Sequence, residues 1–275
     1  MVMRPIGYEG KIMRLSKETR NALVLRPLTR HIRIPIATGP NKGLLWSVAT
    51  GSNFLIGTYE KWSMDLLASL VVPGDCFWDA GAHYGYASFL AERRSGLDGR
   101  VYAFDPSETN GWYLNKHIVW NNSSVQLFPI ALSDNDRTEV FRHHGSGAGR
   151  LKHVDNSTEA TVRETEATVR SIDSMVASGE CLPPTVMKVD VEGSEANLFR
   201  GGANTLRKPN ILILVSTHSL QLYKECKGIL HSYDLDVIGS PGANSALLAI
   251  GRSRNVPKEV IQAFVPWCSR LACRN

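Results

Sequence analysis

From Cys76 to Ile250 the chain keeps one rhythm: an apolar run of five to seven residues, a segment of helical periodicity, then another apolar run. CFWDA (76–80), RVYAFD (100–105), VQLFPIA (125–131), TVMKVDV (185–191) and ILILVST (211–217) read as strands. Residues 84–94, 108–120, 194–206 and 220–232 read as the helices between or after them. Nearly continuous apolar runs mark strands covered on both faces, and helices between strands supply the crossovers that parallel pairing needs. DLDVIGS (234–240) and SALLAIGR (245–252), joined by PGAN, carry a hairpin signal. The expected fold class is α/β, a Rossmann-like sheet of parallel strands with a terminal antiparallel hairpin.

Ahead of this rhythm, HIRIPIA (31–37) and LLWSVAT (44–50) flank the turn-forming TGPNKG and predict a small N-terminal β cap. An amphipathic helix is expected over residues 60–71. The boundary falls near Gly57, giving an extension and cap over residues 1–57 and a catalytic domain over 58–275. Arg4, Lys11, Arg14, Lys17, Arg20, Arg26, Arg30 and Arg33 crowd the first segment against Glu9 and Glu18. That excess suits either a solvated face or a docking surface for nucleotide, nucleic acid or anionic lipid.

No apolar run approaches the roughly 18 residues of a membrane span, and no apolar h-region follows the basic start. Cys76, Cys181, Cys226, Cys268 and Cys273 are scattered and lack zinc-site spacing, so reduced thiols in a cytoplasmic protein are expected. Between the third and fourth strands, HHGSGAG (143–149) opens a polar stretch to about Glu166 that reads as a substrate lid or an idle insertion.

The sharpest chemical signal is FWDAGAHYGY (77–86): an apolar strand, an acid at its end, then Gly81 and Gly85 leading into a helix. Such a turn lets the backbone pass close to a ligand lying beyond the carboxyl ends of the strands. A G-x-G-x-x-G dinucleotide turn seats a pyrophosphate on bare helix N–H groups, where a carboxylate would repel it. Asp79 stands in that place here, with Ala82 and His83 completing the turn. S-adenosylmethionine carries an ammonium and a sulfonium but no phosphate, so the acid favours it over NAD. Asp105, at the tip of the next strand, is placed to accept both ribose hydroxyls, or to cap the helix after Pro106. Ile130, Ala131, Leu132 and Ser133 would lie beside the adenine, with Ser133 or Asp134 hydrogen bonding to it.

MKVDVEGSE (187–195) ends the fourth strand with Asp190, Glu192 and Glu195 around Gly193. Asp190 is expected to point into the cleft. Glu192 and Glu195 either face substrate or a divalent cation such as Mg²⁺, or favour the next helix through its dipole. An acceptor with a proton to lose needs a carboxylate or imidazole in reach as general base. Asp190 and His218, both at strand ends, are the candidate bases, with His218 alternatively an exposed residue at a helix start.

Together these segments resemble the FkbM family of methyltransferases, whose pattern has a D-x-G-A-x-x-G turn, a following A-F-E-P, an A-L-S/G segment and a K-x-D-V-E-G-x-E signature. The resemblance runs through GTYE (57–60), PGDCFWDAGAHYGY (73–86), AFDPS (103–107), Leu114-Asn115, PIALSD (129–134), SIDSM (171–175), MKVDVEGSE (187–195) and Arg200-Gly201-Gly202-Ala203. It implies a class I methyltransferase sheet, S-adenosylmethionine as donor, and O-methylation of a hydroxyl on a sugar, glycan or secondary metabolite. His83 stands where the family commonly has Asn, Asp105 where it has Glu, and VSTHS (215–219) where an acid often stands. The alternatives are a nucleic-acid methyltransferase, suggested by the basic N-terminus although no N-P-P-Y-like motif follows the fourth strand; an NAD-dependent oxidoreductase; and a non-catalytic S-adenosylmethionine-binding protein.

Overall fold

The computed structural model describes residues 29–143, 149–152, 162–239, 241 and 245–264. In the cap, β1 (Arg33–Pro35) pairs antiparallel with β2 (Leu45–Ser47), Ile34 opposite Trp46. Both strands are shorter than the apolar pattern predicts. Ser47 accepts from the Ala49 N–H and turns the chain into a 3₁₀ segment over Val48–Thr50. Helices α1 (Ser52–Ile56) and α2 (Lys61–Leu70) follow.

The rhythm read from the sequence then appears as β3 (Cys76–Ala80), α3 (Tyr86–Ser95), β4 (Arg100–Phe104), α4 (Glu108–Asn121) and β5 (Gln126–Phe128). After β6 (Ala131–Ser133), β7 (Arg137–His143), β8 (Gly149–Leu151), β9 (Arg163–Ser171) and α5 (Ile172–Ala177), it resumes. Its second half is β10 (Val186–Val189), α6 (Glu195–Arg200), β11 (Leu212–Thr217), α7 (Leu220–Ser232), β12 (Asp236–Gly239) and β13 (Ser245–Ile250). The main sheet has the order β12-β13-β11-β10-β3-β4-β5, with β13 antiparallel to both of its neighbours and the pairs from β11 to β5 parallel. It is the expected Rossmann-like α/β sheet with its terminal hairpin.

The faces of the sheet alternate with period two. Phe77, Val101, Val186, Leu212 and Leu248 meet Met64, Leu67 and Phe89 on one side. Trp78, Phe104, Met187, Val189 and Ile213 meet Leu198, Phe199 and Cys226 on the other. Asp79 and Lys188, side by side in register and both buried, interrupt the first of these apolar faces.

The cap belongs to the same core. Trp46 stacks on His117 with ring centroids 3.7 Å apart, and Asn121 bonds both the N–H and the C=O of Leu45. His117 accepts from the Ser47 N–H at Nε2 (3.2 Å), which leaves Nδ1 to donate to the Tyr84 carbonyl (3.0 Å). Burial pushes its pKa down to about 3, so the ring is neutral. At the other end of the chain, the Arg254 guanidinium forks onto Asp75 (2.6 and 2.7 Å), both groups almost fully buried. Burial works against the Asp75 charge, but bonds from Arg254, Thr185 and the Val72 N–H hold its carboxyl below the usual range.

Two expectations are corrected. The predicted third strand over 125–131 splits, because Pro129 has no N–H to continue a ladder; β5 stays in the main sheet and β6 leaves for a second one, ordered β6-β9-β7-β8. Within the predicted lid or insertion, residues 143, 149–151 and 163–166 are strand, whereas residues 144–148 and 153–161 lie outside the described residues. Cys76, Cys181 and Cys226 are free thiols and buried, whereas Cys268, Cys273, the basic residues before Thr29 and most of PGAN lie outside the described residues. Among the described residues no helix is long and apolar enough to cross a membrane.

Candidate functional site

Strand order reverses between β3 and β10: the chain proceeds from β3 outward to β4 and β5, and from β10 the other way to β11. The loops leaving these two neighbours diverge and open a crevice at the carboxyl edge, the usual ligand site of such sheets. A cavity of about 240 Å³ lies there, lined by residues of β3, β4, β10, their exit loops and the second sheet.

The β3 turn is pressed against the β10 exit. Gly81 has φ +80°, and a Cβ there would collide with the Asp190 carbonyl oxygen, so only glycine fits. Four backbone donors of the turn are spent within the fold. The N–H groups of Gly81 and Ala82 bond the Phe104 carbonyl (2.9 and 3.0 Å), His83 N–H bonds Asp105 Oδ2 (2.8 Å), and Gly85 N–H bonds the Ala82 carbonyl (2.8 Å). These donors are thus not free to cradle a pyrophosphate.

Asp79 is fully buried at the head of the turn and lines the cavity. Ser88 donates to its Oδ2 (2.5 Å), while Oδ1 has no hydrogen-bond partner among the described residues. Burial raises its pKa and the Lys188 charge opposes the rise. A buried acceptor left open toward a cavity fits a cationic donor group in the ligand.

Asp105 accepts from His83 N–H, Ser107 N–H (2.9 Å) and Asn110 Nδ2 (3.1 and 3.2 Å). Burial lifts its pKa to about 6 against those bonds. Ser107, not Asp105, caps α4. Phe104, Ile130, Ala131 and Leu132 form an apolar wall beside it, and Phe141, Gly149 and Leu151 reach the cavity from the second sheet. His83 adopts φ +53°, a region that Asn, Asp and His tolerate best, which accounts for His in place of Asn. Its ring lies 3.7 Å from that of Tyr84.

Below the donor end stands a charged cluster. Lys188 Nζ lies 3.3 Å from Asp190 Oδ2. Burial would strip the Lys188 proton, but the charges of Asp190, Glu60 and Asp79 outweigh it and hold the ammonium. Burial likewise opposes the Asp190 charge; Lys188, and His218 at 3.4 Å, overcome this and keep its carboxyl well below the usual range. His218 bonds Glu195 Oε1 through Nδ1 (3.1 Å), with Nε2 3.4 Å from Glu192 as well as from Asp190. Against burial, the bonds to Asp190 and Glu195 and the charges of Glu195 and Glu192 raise its pKa to about 10. The three carboxylates thus favour the imidazolium over the neutral ring, which works against the role of general base expected from the sequence.

Four other assignments change. Glu195 is fully buried and accepts from the N–H groups of Val191 (3.3 Å) and Gly193 (3.1 and 3.2 Å), fastening a loop in which Glu192 has φ +56°; it positions the site instead of facing substrate or metal. Ser133 is buried with its hydroxyl on Asp134 (3.0 Å), and neither lines the cavity. Gly85 caps α3, where the missing Cβ leaves room for Leu114. Asp190, Glu192 and His218 could each offer one atom to a cation, the three lying within 4.8 Å of one another, with His218 Nε2 3.4 Å from both carboxylates. Asp79, Gly81, Ala82, His83, Asp105, Ala131, Leu132, Asp190 and Glu192 do line the cavity together.

Sequence reasoning left Lys188, Tyr59 and Glu60 without a role. Glu60 lines the cavity with φ +38° at the start of α2, its side chain making no capping bond. The only signal for it was its place in GTYE.

The description of the methyltransferase FkbM domain matches residues 79–243. Hexuronic acid methyltransferase AglP of Haloferax volcanii is 28% identical over 149 residues, 54% of this chain and 59% of that protein. Among solved structures, the chain is similar to the methyltransferase FkbM of Methylobacillus flagellatus (16% identity, TM-score 0.47, 64% of this chain and 43% of that one). It is also similar to Aeropyrum pernix fibrillarin with bound S-adenosyl-L-methionine (13%, TM-score 0.45, 69% and 74%). The chain thus spans less than two thirds of the curated relative it matches.

Proposed function

Because the chain belongs to the FkbM methyltransferase family, we propose that it transfers the methyl group of S-adenosylmethionine to a hydroxyl of a sugar or glycan acceptor. One observation carries the donor: the buried, open Oδ1 of Asp79 beside a turn with four of its N–H groups spent. That combination suits an ammonium better than the phosphates of NAD. Asp79 would hold the methionine ammonium, Asp105 the ribose hydroxyls, and Ile130, Ala131 and Leu132 the adenine. When bound, the cofactor supplies an electrophilic methyl on a sulfonium that is already a good leaving group.

Asp190 would accept the hydrogen of the acceptor hydroxyl and aim its oxygen lone pair. A carboxylate held this low is a weak base, so the proton reaches it late, as the new C–O bond makes the oxygen acidic. Lys188 and His218 keep Asp190 ionised until then, and Glu195 keeps the loop in place. Most of the rate then comes from alignment, which alone can supply effective molarities of roughly 10⁵ to 10⁸ M.

The acceptor class is supported by AglP, which is named for methylating a hexuronic acid. The test is incubation with S-adenosylmethionine and a panel of neutral and uronic-acid glycosides, read by mass spectrometry. A mass gain of one methylene on a glycoside, lost in Asp190→Asn with cofactor affinity unchanged, is expected. Methylation of RNA or protein and of no glycoside would overturn the acceptor class.

A further inference from the structure

We infer that the cap face made by β1 and the outer side of α4 is a docking surface for an anionic phospholipid bilayer. Residues 19–59 contain no Asp or Glu, yet carry Arg20, Arg26, Arg30, Arg33 and Lys42. In the described part of this segment Arg30 and Arg33 converge on one stripe of α4. Trp112, Lys116 and Trp120 follow at four-residue intervals and so share a helix face. The Arg30 guanidinium lies 5.2 Å from the Trp112 ring centre, Lys116 Nζ 5.6 Å from the same ring, and the Arg33 guanidinium 5.6 Å from the Trp120 ring. Exposed aliphatic side chains neighbour these residues in the chain. Ile32 and Ile34, which flank Arg33, are 51% and 42% exposed, and Val119, beside Trp120 on α4, is 67% exposed.

This composition matches the interfacial zone of a negatively charged membrane. There basic groups meet lipid phosphates while Trp and aliphatic side chains enter the headgroup–acyl boundary. A nucleic acid is a poorer match, since it would want free ring faces on which to stack bases. The Trp112 and Trp120 rings already lie beside Arg30, Lys116 and Arg33, and a phosphate backbone has no use for three exposed aliphatic side chains. The charge is local to this end of the molecule. Beyond residue 59 the chain holds 22 Lys and Arg against 24 Asp and Glu.

The test is flotation of the full chain with vesicles of phosphatidylcholine, alone or with phosphatidylglycerol, run beside an RNA titration. Binding to the anionic vesicles only, weakening with salt, is expected. A cation at such a surface contributes about a fivefold gain in affinity, so Arg33→Gln with Lys116→Gln should weaken binding roughly twenty-five-fold. Ile32→Ser with Ile34→Ser should remove the binding that survives high salt. Unchanged melting temperatures would show both double variants folded. Equal affinity of wild type and variants, indifference to phosphatidylglycerol, or binding of RNA without binding of vesicles would each overturn the assignment.

Discussion

Replacing His218 with Gln removes an imidazolium that sits 3.1 Å from Glu195 and 3.4 Å from both Asp190 and Glu192. Burial alone would lower its pKa, but the bonds to Asp190 and Glu195 and the charges of Glu195 and Glu192 lift it from 6.5 to about 10. A pKa raised above its unfolded value stabilises the fold fully below about pH 6.5, and that stabilisation is lost as the pH climbs through about 10. At ~1.4 kcal/mol per unit the whole shift would be worth ~5 kcal/mol. The side chain is 23% exposed, however, and solvent screening reduces this to about 2 kcal/mol. With ~2 °C in melting temperature per kcal/mol for a chain of this size, the wild type should melt about 4 °C above His218→Gln near pH 6. The gap should then close steadily on the alkaline side. Thermal melts across pH read the gap, and an NMR titration of the imidazole resonance missing from the variant reads the pKa directly. A resonance titrating near 6.5 together with a pH-independent gap would refute the clamp and restore His218 as a candidate base.

Gly81→Ala forces a Cβ onto the Asp190 carbonyl at a positive φ that itself costs ~1–2 kcal/mol, so affinity for S-adenosylhomocysteine should fall at least roughly tenfold. Undiminished affinity by calorimetry would mean that the two loops are not locked together. Arg254→Met leaves Asp75 buried without its counter-charge, a loss of about 3 kcal/mol that should lower the melting temperature by about 6 °C. Because the folded Asp75 carboxyl is held below its usual range, the pair's contribution is present above the unfolded pKa and fades as the pH falls, and the variant should lack that part of the acid slope. Asp105, with a pKa of about 6, should make S-adenosylhomocysteine affinity rise as the pH climbs through that value and then level off. A flat profile in the wild type, or one unchanged in Asp105→Asn, would count against its contact with the ribose.

The main sheet was legible because its strands are covered on both faces and therefore read as apolar runs. The second sheet was not. RTEVFRH and RETEATVRS are only partly buried and interleave charged with small or apolar residues, which leaves little hydrophobic signal. Asp79 and Asp105 could be placed because each ends a strand that was itself readable. Lys188 could not, since only the register of β10 against β3 shows that a lysine inside an apolar strand stands beside Asp79. The protonation of His218 was hidden for a related reason. Its position at a strand exit is local information, whereas its proton affinity is set by three carboxylates on the β10 exit and the start of α6. Ser133 was misplaced because a continuous apolar run concealed the break at Pro129, after which the strand joins the other sheet.

A site for S-adenosylmethionine built on the β3 turn and Asp79 is tested by calorimetric titration of the wild type and Asp79→Asn with S-adenosylhomocysteine, and of the wild type with NADH. S-adenosylhomocysteine should bind and NADH should not. The variant should lose roughly tenfold to a hundredfold in affinity, the worth of one hydrogen bond to a charged group at about 1.5–3 kcal/mol. Binding of NADH, or an Asp79→Asn protein that holds S-adenosylhomocysteine as tightly as the wild type, would contradict that site.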